Sequence, residues 1–345
     1  MKLKIGFIGV GAMGLSHLQA MHEEFGRHCA ASAVCASSET NLQKARTIAP
    51  NAVIFSRAED LIRSDLDAIF VSTPNHTHVP LALEVLRAKK HLFLEKPVGI
   101  TRNECRQLLE ASKSSDRVVM IGHELRCSPY FGKIKSLVDA GEIGKPQMVW
   151  TREFRGPLQK KSRDWIEDDR QSGGTLLDKN CHHFDLMNWW AGSRPKRVSA
   201  FGGRAIDRAD GNDHQGLDHA VVNFEYENET RGSLQLCLFA RDFPEEDLEM
   251  GVVGENGMLQ TRLSSLEILQ WRRGAGQKQP IVHSVPCKPG AGWGGHLGFS
   301  EIHESFILAI QQNKRPPTTV QDCIDGTLLA IAAEESIKRG EVVEV

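Results

Sequence analysis

Lys4-Ile-Gly6-Phe-Ile-Gly9-Val-Gly11-Ala-Met-Gly14 is the stretch that decides how the N-terminal third of this chain folds. A basic start followed by apolar residues could open a signal peptide. Here, however, glycines at 6, 9, 11 and 14 break the apolar run, and polar Ser16 and His17 follow, so it reads as a strand entering a turn. Gly9, Gly11 and Gly14 stand at G-x-G-x-x-G spacing between that strand and a helix, the context that gives the spacing meaning. The first glycine permits a tight turn, the second lets a pyrophosphate approach the backbone, and the third lets helix and strand pack closely. N–H groups at the helix start, around Ala12 and Met13, then face the phosphates.

Working outward, short apolar runs recur at Ala30–Cys35, Ala52–Phe55, Ala68–Ser72, His91–Leu94 and Val118–Ile121. Segments with helical spacing alternate with them at Met13–Phe25, Thr40–Ile48, Val79–Ala88 and Asn103–Ser112. This alternation predicts a doubly wound parallel sheet over residues 1–122, an α/β dinucleotide-binding domain of Rossmann type. From residue 123 the rhythm changes. Helical segments near Pro129–Ala140 and Gly173–Ala191 accompany eight strand-like runs between Gln147 and Val285, several separated by turn signals such as Glu255-Asn256-Gly257. Two helices, Phe299–Gln312 and Gln321–Lys338, close the chain. Residues 123–345 therefore read as an α+β domain on a large, mostly antiparallel open sheet. The polar stretch Asp207–Gly216 is the expected mobile loop.

Composition narrows the partners. A length of 345 residues suits about two domains. The 40% hydrophobic and 25% charged content is ordinary for a globular protein, and a formal charge of −2 provides no basic field for nucleic acid or an anionic membrane. No apolar run approaches the roughly 18 residues of a membrane span. The eight cysteines lie far apart without a CxxC pair, which fits a reducing, cytoplasmic setting better than a disulfide framework.

Several further segments carry chemistry. The usual acid that bonds the ribose hydroxyls after the second strand is missing: Ala36 stands at its place, followed by Ser37 and Ser38. Hydroxyls without a carboxylate accept a 2′-phosphate, which favours NADP modestly over NAD; the alternative is that Glu39 or Ser37 holds NAD. Ser72-Thr73-Pro74-Asn75-His76-Thr77-His78 and Glu95-Lys96-Pro97 follow the fourth and fifth strands, at the sheet edge where such folds bind ligands. Lys96 would lie beside the nicotinamide, fitted for proton transfer; a surface lysine paired with Glu95 is the plainer reading. In Gly173-Gly-Thr-Leu-Leu-Asp178-Lys-Asn-Cys-His182-His183-Phe-Asp185, Asp178 and His182 are i and i+4 on a helix. The carboxylate can set the imidazole tautomer and leave the other nitrogen for acid–base work. Arg126, Arg155 and Trp165 lie on segments expected to border the substrate. The histidines and acids do not assemble a four-ligand set, so no metal is expected.

Together these motifs resemble the Gfo/Idh/MocA family of glucose–fructose oxidoreductase and inositol dehydrogenase. The resemblance extends to Trp293-Gly-Gly-His296. It implies a Rossmann domain followed by an open-sheet domain through which homo-oligomers form, with Lys96, Asp178 and His182 as the catalytic set. It also implies that Gly11, Ala12, Met13, Asn75, Glu95 and Lys96 lie along the cofactor. His183, beside His182, is expected at the substrate, with its role open. The activity implied is hydride exchange between a nicotinamide and a hydroxyl-bearing carbon of a sugar, polyol or inositol. Two alternatives stand beside it: a nicotinamide-dependent glycosidase with no net redox, and a non-catalytic dinucleotide-binding regulator.

Overall fold

A computed structural model describes residues 2–156, 165–206, 216–240, 247–274, 276–287 and 296–345. Asp207 and most of the loop that follows it, like Trp293, lie outside the described residues. The chain divides into two compact units, Met1–Ser128 with Lys288–Ile324, and Pro129–Cys287 with Asp325–Val345.

In the first unit six strands are described: β1 (Leu3–Ile8), β2 (Cys29–Cys35), β3 (Val53–Phe55), β4 (Ala68–Val71), β5 (His91–Leu94) and β6 (Val119–Ile121). They form a parallel sheet in the order β3-β2-β1-β4-β5-β6. This is the doubly wound nucleotide-binding order, and its direction of growth reverses between β1 and β4. β4 and β6 are buried along their whole length, as continuous apolar runs require when helices cover both faces. The crossover helix Arg102–Lys113 is started by a capping box in which Thr101 and Glu104 bond reciprocally to each other's main chain. A six-residue helix, Ala58–Arg63, was not predicted; with only Leu61 and Ile62 buried it is too short to show a period.

Phe7, Phe70 and Phe93 line the core together with Ile302, Phe306 and Ile307 of the helix Phe299–Gln312. That helix was assigned from sequence to the second domain, yet it packs on the first unit's sheet. Its apolar spacing specifies a helix with a buried face but not which sheet receives it.

In the second unit nine strands are described: β7 (Pro146–Phe154), β8 (Pro195–Gly203), β9 (His219–Tyr226), β10 (Arg231–Cys237), β11 (Leu248–Gly254), β12 (Gly257–Arg262), β13 (Glu267–Arg272), β14 (Ile281–Ser284) and β15 (Val343–Glu344). Their order is β14-β13-β12-β11-β7-β10-β9-β8-β15, and the β7–β10 pair alone among the described pairs is parallel. The two-residue β15 carries no sequence signal. Along β7, Val149, Thr151 and Glu153 are buried while the residues between them are not, the period-two pattern of a sheet covered on one face.

The helix Thr175–Ala191 follows Gly173 (φ 84°) and Gly174 (φ 104°). A Cβ on Gly174 would stand 2.5 Å from the Glu334 carboxylate, which accepts the Leu176 N–H at 2.7 Å. Glu334 thus caps this helix from the helix Val320–Arg339, a role no local pattern signals. Among the described residues no helix is long and apolar enough to cross a membrane.

Candidate active site

The register of the first unit aligns Ile8, Val71, Leu94 and Ile121 across neighbouring strands, and Ile8 with Cys35 and Phe55 on the other side. The segments after them, beginning at Gly9, Ala36, Ser72, Glu95 and Gly122, therefore emerge at one edge of the sheet. The three glycines differ in what surrounds them. Gly9 has φ 83°, and a Cβ there would be 2.6 Å from Ser72 O. A Cβ on Gly14 would be 2.0 Å from Gly9 O, so only glycine lets the helix Ala12–Glu23 approach the turn. Gly11, by contrast, has nothing within 4 Å of its Cβ position. Two glycines serve the chain's own packing and the middle one faces space, the arrangement a pyrophosphate needs. Gly11 N-caps the helix without a side-chain hydrogen bond, so the first-turn N–H groups of Ala12 and Met13 meet no cap. Ser72 Oγ beside this turn is buried without a hydrogen-bond partner. These features fit a dinucleotide.

The loops after β4 and β5 are held together by His78. Its Nδ1 lies 3.0 Å from Pro97 O and its Nε2 2.9 Å from Thr73 O. The ring is 1% exposed, so His78 braces the two loops from within. Thr77 Oγ1 donates to Thr73 Oγ1 at 2.6 Å, and Asn75 is buried at the start of a short 3₁₀ turn. The Lys96–Pro97 bond is cis. The buried Glu95 carboxylate accepts the Lys96 N–H at 3.2 Å. Despite burial, its pKa is lowered by the hydrogen bond and charge of His17, with further contributions from Lys96 and His78.

After β2, Ser38 caps the helix Glu39–Ile48, accepting from Asn41 N, and Ser37 is exposed. Glu39, weighed as a ribose ligand, is instead ion-paired with Arg46 at 2.7 Å along its own helix. Arg57 follows β3, which lies beside β2, and its Nε is 3.3 Å from Glu59. Arg126 donates from Nη2 to Asp322 O at 2.8 Å and so has a main-chain anchor.

In the second unit, fourteen of the seventeen residues of the helix Thr175–Ala191 are buried; the others, Lys179, His182 and Trp189, form its more accessible stripe. Asp178 is 5% exposed, one turn before His182. His183 turns toward β7, where Asn180 Nδ2 donates to Glu153 Oε2 at 3.0 Å and to His183 Nδ1 at 2.9 Å. Lys179 Nζ pairs with Glu153 at 2.7 Å, and Arg155 Nη1 lies 3.7 Å away. Burial pushes the His183 pKa down to about 4. His183 and Arg155, expected at the substrate, thus belong to a network around Glu153 that sequence reasoning missed. A carboxylate at an inward strand position was the one available signal. Trp165 is half-buried in a short 3₁₀ turn.

Fold and site define a dinucleotide-binding oxidoreductase built from two units. The sequence model described as "Oxidoreductase family, NAD-binding Rossmann fold" matches residues 3–123, and that of the GFO/IDH/MocA C-terminal domain matches residues 131–260. Among curated relatives, the chain is 26% identical to the uncharacterized oxidoreductase YrbE of Bacillus subtilis, covering 99% of this chain and 96% of the relative. It is 24% identical to inositol 2-dehydrogenase of Rhizobium meliloti over the full length of both. Among solved structures, levoglucosan dehydrogenase in complex with NADH superposes with a TM-score of 0.84 at 20% identity, covering 100% and 99% of the two chains. An oxidoreductase domain protein from Kribbella flavida gives 0.83 at 21% identity with the same coverage. At these identities the structural likeness establishes the fold. The chain belongs to the Gfo/Idh/MocA family of oxidoreductases.

Proposed function

We propose that this protein exchanges a hydride between a nicotinamide dinucleotide and a hydroxyl-bearing carbon of a sugar, polyol or inositol-like substrate. The observation that carries the reading is the shared sheet edge, where the open position at Gly11, the Thr73-Pro74-Asn75 loop and Lys96 come together. The inositol 2-dehydrogenase relative and the levoglucosan dehydrogenase neighbour support the substrate class.

Gly9 through Gly14 would hold the pyrophosphate, with Ser72, Thr73, Asn75, Glu95 and Lys96 further along the cofactor. A bound nicotinamide supplies the hydride acceptor or donor. His182, on the accessible stripe of its helix, takes the proton of the substrate hydroxyl, with Lys96 as the second group in proton transfer. Asp178, one turn away, orients the imidazole and steadies its charged form. Proton transfer of this kind contributes on the order of 10² to 10⁴ in rate. NADP is modestly favoured: Ala36 stands where the ribose-binding acid is expected at the end of β2, Ser37 and Ser38 follow it, Glu39 is paired with Arg46, and Arg57 follows the neighbouring strand.

The open face of the second sheet supports a homo-oligomer. Phe201 and Val221, paired across β8 and β9, are 72% and 45% exposed, and Met148 on β7 is 48% exposed. Free thiols at all eight cysteines support a cytoplasmic setting.

A panel of polyols and sugars, each with NAD and with NADP, followed by reduced-nicotinamide absorbance, tests both substrate class and cofactor. Release of aglycone from a chromogenic glycoside without net reduction would favour a glycosidase instead. Lys96→Ala is expected to abolish turnover while dinucleotide affinity stays within about tenfold. Retention of most turnover would remove Lys96 from the catalytic set.

A further inference from the structure

Beneath the Glu95-Lys96-Pro97 turn lies a chain of buried polar groups. His303 Nδ1 is 2.5 Å from Phe299 O, His303 Nε2 is 2.8 Å from His17 Nδ1, and His17 Nε2 is 2.8 Å from Glu95 Oε1. His17 is 1% exposed, His303 0% and Glu95 6%. A carbonyl oxygen only accepts, so His303 carries a proton on Nδ1; complete burial keeps that ring neutral, which leaves its Nε2 as a lone pair. His17 must then donate from Nδ1. Its other nitrogen faces a carboxylate oxygen at hydrogen-bond distance, a contact that needs one more proton, either on the imidazole or on the acid.

Several neighbours of the pair favour an ionised Glu95, and so a proton on the imidazole. Glu95 Oε2 accepts the Lys96 N–H, a bond that strengthens when the acid is ionised. Lys96 on the same turn and His78 on the preceding crossover lower the Glu95 pKa further. At the end of β6, Gly122 lets the carboxylate approach, since a Cβ there would be 2.7 Å from Oε1. The His17 ring stacks on Phe299 with centroids 5.1 Å apart, and meets Phe93 at 5.2 Å and Phe70 at 5.6 Å. The face of Phe299 against a cationic ring supplies part of the attraction that water would otherwise give. His303 is the neutral end, held far below its ordinary pKa by burial and by the charge of His17.

We infer that His17 is a buried imidazolium that neutralises Glu95 and, backed by His303, positions the Glu95-Lys96-Pro97 turn so that Lys96 can exchange its proton. The inference rests on the role of Lys96 proposed above. Two imidazoles brace this turn, His17 at the Glu95 side chain and His78 at Pro97 O. With His17 present, Glu95 is one half of a neutral pair. Without it, a bare carboxylate next to Lys96 would hold the ammonium charged. His17 and His303 touch neither substrate nor cofactor in this scheme; they act through Glu95.

The test has two arms on the full-length protein. Nitrogen NMR of labelled histidine reads the protonation of His17 directly. Both of its ring nitrogens are expected to stay protonated through neutral pH while His303 carries one proton, and a neutral His17 at pH 7 overturns the inference. Kinetically, His17→Gln is expected to lower kcat/KM at pH 7 by about tenfold or more, with the profile displaced to higher pH. His17→Gln with Glu95→Gln should bring the profile back toward its original position, because both charges are then gone. An unshifted profile in His17→Gln, or no return in the double variant, overturns the positioning role. If His17→Gln does not fold, the double variant, which buries no unpaired charge, still reads the profile. Lys96→Ala separates the two readings: full activity there sinks the catalytic assignment, while the NMR arm still decides where the proton sits.

Discussion

Two buried histidine–carboxylate pairs occupy the two units, and they are built in opposite senses. His17 touches Glu95 directly at 2.8 Å, with its second nitrogen turned to another imidazole. His183 stands 3.6 Å from Glu153, with the Asn180 amide donating to both. In the first pair the histidine is itself the counter-charge. In the second, Lys179 supplies that charge at 2.7 Å, and the amide occupies Nδ1 of His183 as a donor, which requires a neutral ring. The same two residue types thus hold different protonation states, and a third side chain decides which.

The largest test of this difference is a matched pair of deletions. His17→Leu leaves Glu95 buried without its partner and is expected to cost about 3–5 kcal/mol in urea unfolding. His183→Leu leaves only one Asn180 N–H unpaired and should cost roughly 1–3 kcal/mol. Equal losses would mean that the two histidines carry the same charge.

Next in size is pH dependence. The folded-state pKa of His183, about 4 against an ordinary 6.5, means that protons favour the unfolded chain. Its contribution is complete above about pH 6.5 and is lost as pH falls toward 4, an effect of up to about 3 kcal/mol. Glu334 runs the other way. Burial first, and the repulsion of Asp169, raise its pKa from 4.5 to about 7, so its contribution is complete below 4.5 and is lost as pH rises toward 7. The two windows overlap and largely cancel between about pH 4.5 and 6.5. In chemical denaturation across that range, Glu334→Gln should expose a rise in stability with pH, and His183→Gln a fall. A wild-type slope that neither variant changes would contradict both assignments.

The smallest expected effect is on the bridging amide. Asn180→Leu removes a hydrogen bond to each partner while Lys179 remains on Glu153, for a loss of about 1–2 kcal/mol. A loss as large as that of His17→Leu would place the amide, not Lys179, as the main support of Glu153.

Much of the first unit was legible because its signals are local. The glycine turn and the apolar runs of β1 to β6 each lie within a few residues of what they determine. The spacing of Asp178 and His182 likewise needs only the helical period. What escaped reading depends on pairs far apart in sequence. His17 meets His303 across 286 positions, Glu334 caps a helix that begins 159 residues earlier at Thr175, and Glu153 meets Asn180 across 27 positions. His78, in a loop expected to line the ligand, is turned into the protein, where its ring lies between Pro97 O and Thr73 O of two separate loops.

By itself, the order of residues determined the doubly wound class of the first unit, the glycine turn and the residue types available for proton transfer, since periodicity, backbone freedom and side-chain chemistry act over short stretches. Only the tertiary structure decided which sheet the helix Phe299–Gln312 covers, which carboxylate caps the helix of Asp178 and His182, and which buried histidine carries a charge. Those outcomes depend on desolvation and on the third partner of each contact, and both exist only once distant segments have been brought together.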